Sequence, residues 1–393
     1  MFIIQTRNVI SPTGLAVFDS ASYRIDSAIK QNRNNSDDPD AIILRSAVIE
    51  NIPERTIAIA RAGVGVNNIP VDVCTARGIV VFNTPGANAN SVKELVLSGM
   101  LLSNRKIIEG INWVRTLADA GNFANEVEKG KKNFAGPELK GKKLAVLGLG
   151  SIGAVVANTA VDLGMHVLGY DPYISIDSAW GLRAQIVRAQ ALETAVSGCD
   201  FISIHIPLTD STRHIIHRDI IDKMKTGVRI LNFSRGPLVH DDDIIAALKV
   251  GKVARYITDF PNEKLVRQEN VLPTPHLGAS TPEAEENCAV MACAQIVRYL
   301  ETGNISNSVN FPVMDMACIA DNRLVIINKN VPAVVGRITG ILAENGINIS
   351  NMINKHRNET AITIIDTDDC LSDKGIRKIE QIEGVIRVRI IQK

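Results

Sequence analysis

Residues 143–171 read KLAVLGLGSIGAVVANTAVDLGMHVLGYD. Lys143 to Leu147 form a short apolar strand, and Ile152 to Val161 carry the pattern of a buried helix. Between them Gly148, Gly150 and Gly153 stand at G-x-G-x-x-G spacing. Such glycines permit a tight turn, let a pyrophosphate approach the backbone and open a helix whose free amides favour an anion. The next strand, Met165 to Tyr170, ends at Asp171, about 20 residues on, where a carboxylate accepts hydrogen bonds from a ribose diol and repels a 2′-phosphate. Glycine spacing alone is weak, because glycines recur in turns for conformational reasons; strand, helix and acid in register make it specific. The expected cofactor is therefore NAD, held by Gly148, Gly150, Ser151, Ile152, Gly153 and Asp171. Leu144 to Val161 is uncharged and long enough to imitate a membrane span, but its glycines suit a strand, turn and buried helix.

Outward from this turn, five apolar runs alternate with helical patterns: Leu144 to Leu147, Met165 to Tyr170, Phe201 to His205, Arg229 to Phe233 and Arg255 to Thr258. They predict a doubly wound parallel sheet. An earlier alternation, with runs at Ala41 to Leu44, Thr56 to Ala60 and Ile79 to Phe82, predicts a second parallel sheet, followed by a helix over Ser91 to Leu102. The polar stretch from Gln31 to Asp40 reads as a surface loop. Pro282 to Leu300 reads as one long helix with Gly303 past its end, and Asn304 to Asp321 as a linker. The remainder, from Arg323 to Ile391, has the order βαββαβ, a ferredoxin-like unit small enough to call for a partner copy. The fold class is thus α/β, with two doubly wound, Rossmann-like domains and an α+β tail.

The chain has 393 residues, 43 basic and 42 acidic, for a net charge of +1. That length implies two or three domains, and the balance provides no electrostatic footprint for nucleic acid or an anionic membrane. A small metabolite is the expected partner. The amino terminus shows no signal-peptide pattern, which points to the cytoplasm. Cys74, Cys199, Cys288, Cys293, Cys318 and Cys370 form no CxxC pair and no cluster with histidine, so no metal is expected and the thiols read as reduced and mostly buried.

Three strand ends run into polar residues: Asn232 to Gly236, Thr258 to Glu263 and Pro275 to Ser280. Ligands collect at the carboxyl ends of strands in doubly wound sheets. Hydride transfer from an alcohol needs a base, for which His276 is suited near neutral pH; a carboxylate such as Glu263 would hold its ring, and the fork of Arg235 matches a substrate carboxylate. Singly, each has an ordinary reading as a surface or turn residue. Jointly they suggest a catalytic triad.

Over residues 41 to 303 the chain resembles the D-isomer-specific 2-hydroxyacid dehydrogenases, on RAGVGV at 61–66, NTP at 83–85, SVKEL at 91–95, the glycine turn, Asn232 to Gly236 and Pro275 to Ser280. The resemblance implies a substrate domain split in sequence, 1–98 with 277–310, clamping an NAD-binding domain, 99–276. It implies His276 as base, Glu263 as its partner, Arg235 as substrate anchor, and the amides of Ala62, Gly63 and Val64 as a nest for the substrate carboxylate. Phe233, Ser234, Arg235, Asp259, His276 and Gly278 would line the cofactor. Here Asp259 is followed directly by Phe260, one residue short of the common pattern, which leaves Asp259 and Glu263 open by one position.

The tail, residues 322–393, resembles an ACT domain, a regulatory unit that binds amino acids at subunit interfaces. Together the two resemblances imply oxidation of 3-phosphoglycerate at carbon 2, the opening step of the phosphorylated route to serine, by a homo-oligomer, dimer or tetramer. Arg45 and Arg61 are plausible phosphate anchors by charge, with ordinary surface arginines as the alternative. Asn328, Asn330 and Asn348 are candidates for an L-serine effector, although Asn328 stands where a histidine is often found and Ala333 where a glycine is usual; the asparagines could equally cap a strand and a helix. A reductase of glyoxylate or hydroxypyruvate, and a dinucleotide-sensing interaction protein on the same fold, remain alternatives.

Overall fold

The computed structural model describes residues 1–27 and 38–392. Residues 31–37 of the expected surface loop lie outside the described residues; Asp40 at its end is buried, accepting the Ile3 amide at 2.7 Å and pairing with Arg55. The chain divides into two compact units, residues 1–87 with 285–393, and residues 88–284.

The first unit opens with a five-stranded parallel sheet. Its strands are β1 (Phe2–Thr6), β2 (Tyr23–Ser27), β3 (Ala41–Leu44), β4 (Ala58–Arg61) and β5 (Val80–Phe82), in the order β2-β1-β3-β4-β5. β3 and β5 are buried along their whole length, as continuous apolar runs are when both faces of a parallel sheet are covered. The long helix runs from Pro282 to Thr302 and stops before Gly303, which adopts φ +71°. Its Ala289, Cys293, Ile296 and Tyr299 share a core with Ile4, Ile43, Val80 and Phe82.

The second unit holds a seven-stranded parallel sheet: β6 (Lys143–Leu147), β7 (His166–Tyr170), β8 (Val187–Arg188), β9 (Phe201–Ile204), β10 (Val228–Asn232), β11 (Val253–Thr258) and β12 (Val271–Pro273). The order is β12-β11-β10-β9-β6-β7-β8, which reverses between β6 and β9. Ligand sites form outside the carboxyl ends of strands at that switch point. The five expected strands are present; β8 and β12, of two and three residues, are too short to show periodicity and extend the sheet to seven. The helix Ala89–Asn104 belongs to this unit, not to a segment ending at residue 98, because its Val92, Val96 and Met100 join the core of Val146, Val156, Leu231 and Ile257. The chain returns to the first unit after Ala284, where the expected boundary fell at residue 276.

The tail forms an antiparallel sheet of β13 (Asn322–Lys329), β14 (Ile349–Arg357), β15 (Thr360–Thr367) and β16 (Val385–Gln392), ordered β14-β15-β13-β16, with helices Val334–Glu344 and Asp373–Glu380. Alternate residues of β13 point to opposite faces. Leu324 and Ile326 pack under the two helices with Ile338, Leu342 and Ile379, whereas Val325 and Ile327 join the core of the first unit. The second face of this small sheet is thus covered by its own chain.

The expected linker is packed rather than free. Phe311 and Met314 are buried, and the Asn310 side chain accepts the Val81 amide at 2.9 Å and donates to the Ile79 carbonyl at 2.9 Å. Val309 adds a backbone bond to Val81. An asparagine amide here imitates a neighbouring strand and seals the β5 edge. Among the described residues no helix is long and apolar enough to cross a membrane, and all six cysteines are free, four of them buried.

Candidate active site

The glycine turn lies at the end of β6. A side chain at Gly148, which has φ +89°, would meet the His205 carbonyl oxygen 2.6 Å from its Cβ, and one at Gly153 would strike the Gly148 carbonyl oxygen. Nothing lies within 4 Å of a Cβ built at Gly150. The first and third glycines therefore permit close packing while the second leaves an open face. No side chain caps the helix Ser151–Asp162, so its first turn keeps amides for an anion. Asp171 accepts the Leu149 amide through Oδ2 and the Tyr173 amide through Oδ1, both at 2.8 Å. These bonds fix the carboxylate while leaving lone pairs for a diol. The residues present fit NAD.

His205, at the end of β9, supports this turn from below. Its Nε2 lies 2.8 Å from Ser203 Oγ, and desolvation pushes the imidazole down to about 4 from an ordinary 6.5. Between those values the unfolded chain takes up a proton that the folded chain refuses, so stability falls as pH drops through the window from about 6.5 to 4. The loss should reach about 2 to 3 kcal/mol. Denaturant titrations at pH 7 and 4.5 should show this slope in the wild type and a shallower one in His205→Gln; equal slopes would remove His205 as its source.

At the ends of β10 and β11 the polar residues interlock. Asn232 is buried, donating to the Arg235 carbonyl at 2.9 Å and to Tyr256 Oη at 3.2 Å, and Ser234 Oγ donates to the Ile206 carbonyl at 2.9 Å. Phe233 is largely buried in the core below and lines a small apolar cavity with Leu95, Leu102 and Ile257. Asp259 is also buried: Oδ1 accepts Thr274 Oγ1 at 2.8 Å and the Leu277 amide at 2.7 Å, and Oδ2 accepts the Gly278 amide at 2.8 Å. One carboxylate thus grips the loop on both sides of His276. His276 itself is exposed, with φ +55°. Its ring packs on Phe260 with centroids 4.7 Å apart, and the Arg235 guanidinium lies 5.9 Å from the centre of that same ring. A cleft of about 500 Å³ opens beside Phe260, lined also by Arg213, His214, His240 and Lys264.

Glu263 does not join them. It is exposed, and among the described residues no hydrogen bond or ion pair links it to His276. Its neighbours are drawn toward the helix Asp241–Lys249 instead: Asn262 donates to Asp241 at 2.8 Å, and Lys264 pairs with Asp242 at 2.9 Å. Ser203, His205 and Phe260 were not anticipated, although each sits at or just beyond the polar end of a strand already in view.

In the first unit, Arg45 and Arg61 stand at the ends of β3 and β4. Arg45 pairs with Glu285 at 2.7 Å; Arg61 donates to the Arg45 carbonyl at 2.9 Å and to the Gly65 carbonyl, closing its own turn. Of the expected nest, the Ala62 amide bonds the Leu44 carbonyl at 2.8 Å and the Gly63 amide the Arg61 carbonyl at 2.9 Å. The Val64 amide makes no such bond among the described residues.

In the tail, Asn328 is buried, with Nδ2 on the Lys329 carbonyl and Oδ1 without a hydrogen-bond partner among the described residues. Asn330 Nδ2 reaches the Asn358 carbonyl at 3.4 Å, and Asn348 donates to Asp368 at 2.7 Å. Ala333 has φ +69°, a left-handed conformation that a Cβ disfavours. Ala333→Gly should raise stability by up to about 1 kcal/mol, the relieved strain exceeding the added entropy of the unfolded glycine; an unchanged or lower midpoint of denaturation would contradict it.

The family model for the NAD binding domain of D-isomer specific 2-hydroxyacid dehydrogenases matches residues 97–278. A D-3-phosphoglycerate dehydrogenase of Haemophilus influenzae is 32% identical over 363 residues, 88% of this chain and 84% of that protein. One from Methanocaldococcus jannaschii is 37% identical over 70% of this chain, which spans 52% of that longer protein. Among solved structures, an NAD+-bound 3-phosphoglycerate dehydrogenase of Entamoeba histolytica is similar with a TM-score of 0.61 and 27% identity, over 79% of this chain and 98% of that one.

Proposed function

The chain belongs to the D-isomer specific 2-hydroxyacid dehydrogenases, and from that membership we propose that it oxidises 3-phospho-D-glycerate at carbon 2 to 3-phosphohydroxypyruvate, with NAD as acceptor. The observation that carries the substrate is the likeness to phosphoglycerate dehydrogenases over most of both chains. NAD, when bound, supplies the acceptor for the hydride leaving carbon 2. His276 takes the hydroxyl proton, for which its ring is exposed and makes no hydrogen bond among the described residues. Arg235 binds the substrate carboxylate in a forked geometry. In the first unit, Val64, Arg45 and Arg61 are kept, from the resemblance alone, as candidate contacts for anionic groups; the Arg45 pair with Glu285 is half-exposed and exchanges partners at little cost.

The helices Ile107–Thr116 and Phe123–Gly130 bury none of their residues and leave Ile107, Ile108, Ile111 and Phe123 exposed, a surface suited to a second copy of the chain. The free thiols suit the reducing cytoplasm. L-serine is the effector proposed for the tail, with Asn328 Oδ1, a buried oxygen that has no hydrogen-bond partner among the described residues, as one candidate contact.

A panel of 2-hydroxy acids with NAD and with NADP, repeated with L-serine, tests this reading. Turnover should require the substrate phosphate, favour NAD and slow with serine. Rates indifferent to the phosphate would favour a glyoxylate or hydroxypyruvate reductase. No turnover on any acid, with a protein partner whose affinity follows NADH, would favour a dinucleotide sensor.

A further inference from the structure

We propose that Phe260 is a positioning residue for this oxidation, a ring that sets the orientation of His276 and Arg235 together. The inference rests on the dehydrogenase reading above. Asp259 holds the backbone of the His276 loop through Leu277 and Gly278 but does not reach the imidazole. The imidazole makes no hydrogen bond of its own among the described residues; its ordering contact is the Phe260 ring at 4.7 Å, tilted by 52°. Arg235 is tied at one end, Nη1 donating to the Ser234 carbonyl at 2.6 Å, and its guanidinium lies over the same ring at 5.9 Å.

The local chain is built to place that ring. Phe260 follows Asp259 directly, and its amide turns back to Thr258 Oγ1 at 3.1 Å. A Cβ on residue 236 would come within 3.3 Å of the Phe260 Cβ, so glycine at Gly236 leaves room for the ring beside Arg235. Glu263, the expected partner of the histidine, is exposed and among the described residues forms no bond to it. The aromatic face also suits the chemistry: as the imidazole takes the hydroxyl proton it becomes a cation, and a neighbouring ring attracts a cation. Phe260 acts on the reaction through His276 and Arg235.

Two measurements on the full chain test this. In protein labelled with 13C-histidine, the His276 ring resonance should be displaced by the Phe260 ring current, and should move toward its ordinary position in Phe260→Leu but not in Phe260→Tyr. In turnover, Phe260→Leu should lose about tenfold in kcat, with NADH affinity and thermal midpoint unchanged, and Phe260→Tyr should stay within about twofold of wild type. A His276 resonance indifferent to Phe260→Leu would overturn the proposal. So would an unaltered kcat, a loss confined to KM, or an equal loss in the leucine and tyrosine variants. Wild-type protein that oxidises no acid in the panel would instead refute the dehydrogenase reading, and this inference with it.

Discussion

Replacing His276 by alanine should lower kcat for 3-phosphoglycerate oxidation by about two to four orders of magnitude, the range a positioned general base contributes. NADH affinity should stay close to that of the wild type. The separation follows from where the bonds are made. Asp259 holds the loop through the Thr274 hydroxyl and the amides of Leu277 and Gly278, none of which involves the imidazole. The glycine turn and Asp171 are held by backbone bonds of their own. Because residue 276 sits at φ +55°, alanine adds backbone strain that asparagine tolerates better, so His276→Asn is the control. Both variants should show the same loss in NADH formation and the same NADH binding by fluorescence titration. Turnover within about tenfold of wild type in either would remove His276 as the base.

The elements that sequence revealed are those whose physics is local. The glycine turn could be read because Gly148, Gly150 and Gly153 stand at a recognisable spacing between a strand and a helix in one short stretch, and Asp171 because its strand ends there. The βαββαβ order of the tail was legible from periodicity, since each strand and helix is long enough to show it. The edge strands β2, β8 and β12 are short or partly exposed and carry no such pattern. Non-local facts were hidden. That Asn310 would complete an edge 229 residues away from it in sequence, at Val81, has no signal in its neighbours. The same holds for the polar cluster: sequence placed Arg235, Glu263 and His276 at strand ends, but whether Glu263 turns toward the histidine depends on Asn262 and Lys264 finding Asp241 and Asp242 on a helix earlier in the chain. Resemblance supplied roles without these side-chain partners.

Arg323→Met should destabilise the first unit by about 3 to 5 kcal/mol, the effect of removing one partner from a buried ion pair. Arg323 and Asp366 are almost wholly buried, joined by Nε to Oδ1 at 2.6 Å and Nη2 to Oδ2 at 2.8 Å. The guanidinium also donates to the carbonyls of Thr302 at 2.8 Å, Met316 at 3.2 Å and Ala317 at 2.7 Å. Methionine fills much of the volume but leaves the Asp366 carboxylate buried without its cation and takes a donor from the carbonyls of Thr302 and Ala317, while that of Met316 keeps Asn304 Nδ2 at 3.1 Å. Arg323→Met with Asp366→Leu removes both charges, and should recover a large part of the loss because a buried pair and a well-packed apolar pair are close in energy. The difference between the single and double variants separates the orphaned charge from the lost carbonyl bonds. It also decides how the tail is attached. Arg389 repeats the arrangement, reaching the Leu300 carbonyl at 3.0 Å and lying 4.7 Å from the centre of the Tyr299 ring. If these arginines weld the tail to the helix Pro282–Thr302, the single variant should loosen both together, and amide exchange should quicken in that helix as well as in β13 and β15. Faster exchange confined to the tail would mean that Arg323 stabilises only its own sheet, and that an effector bound there has no rigid path into the helix it rests on.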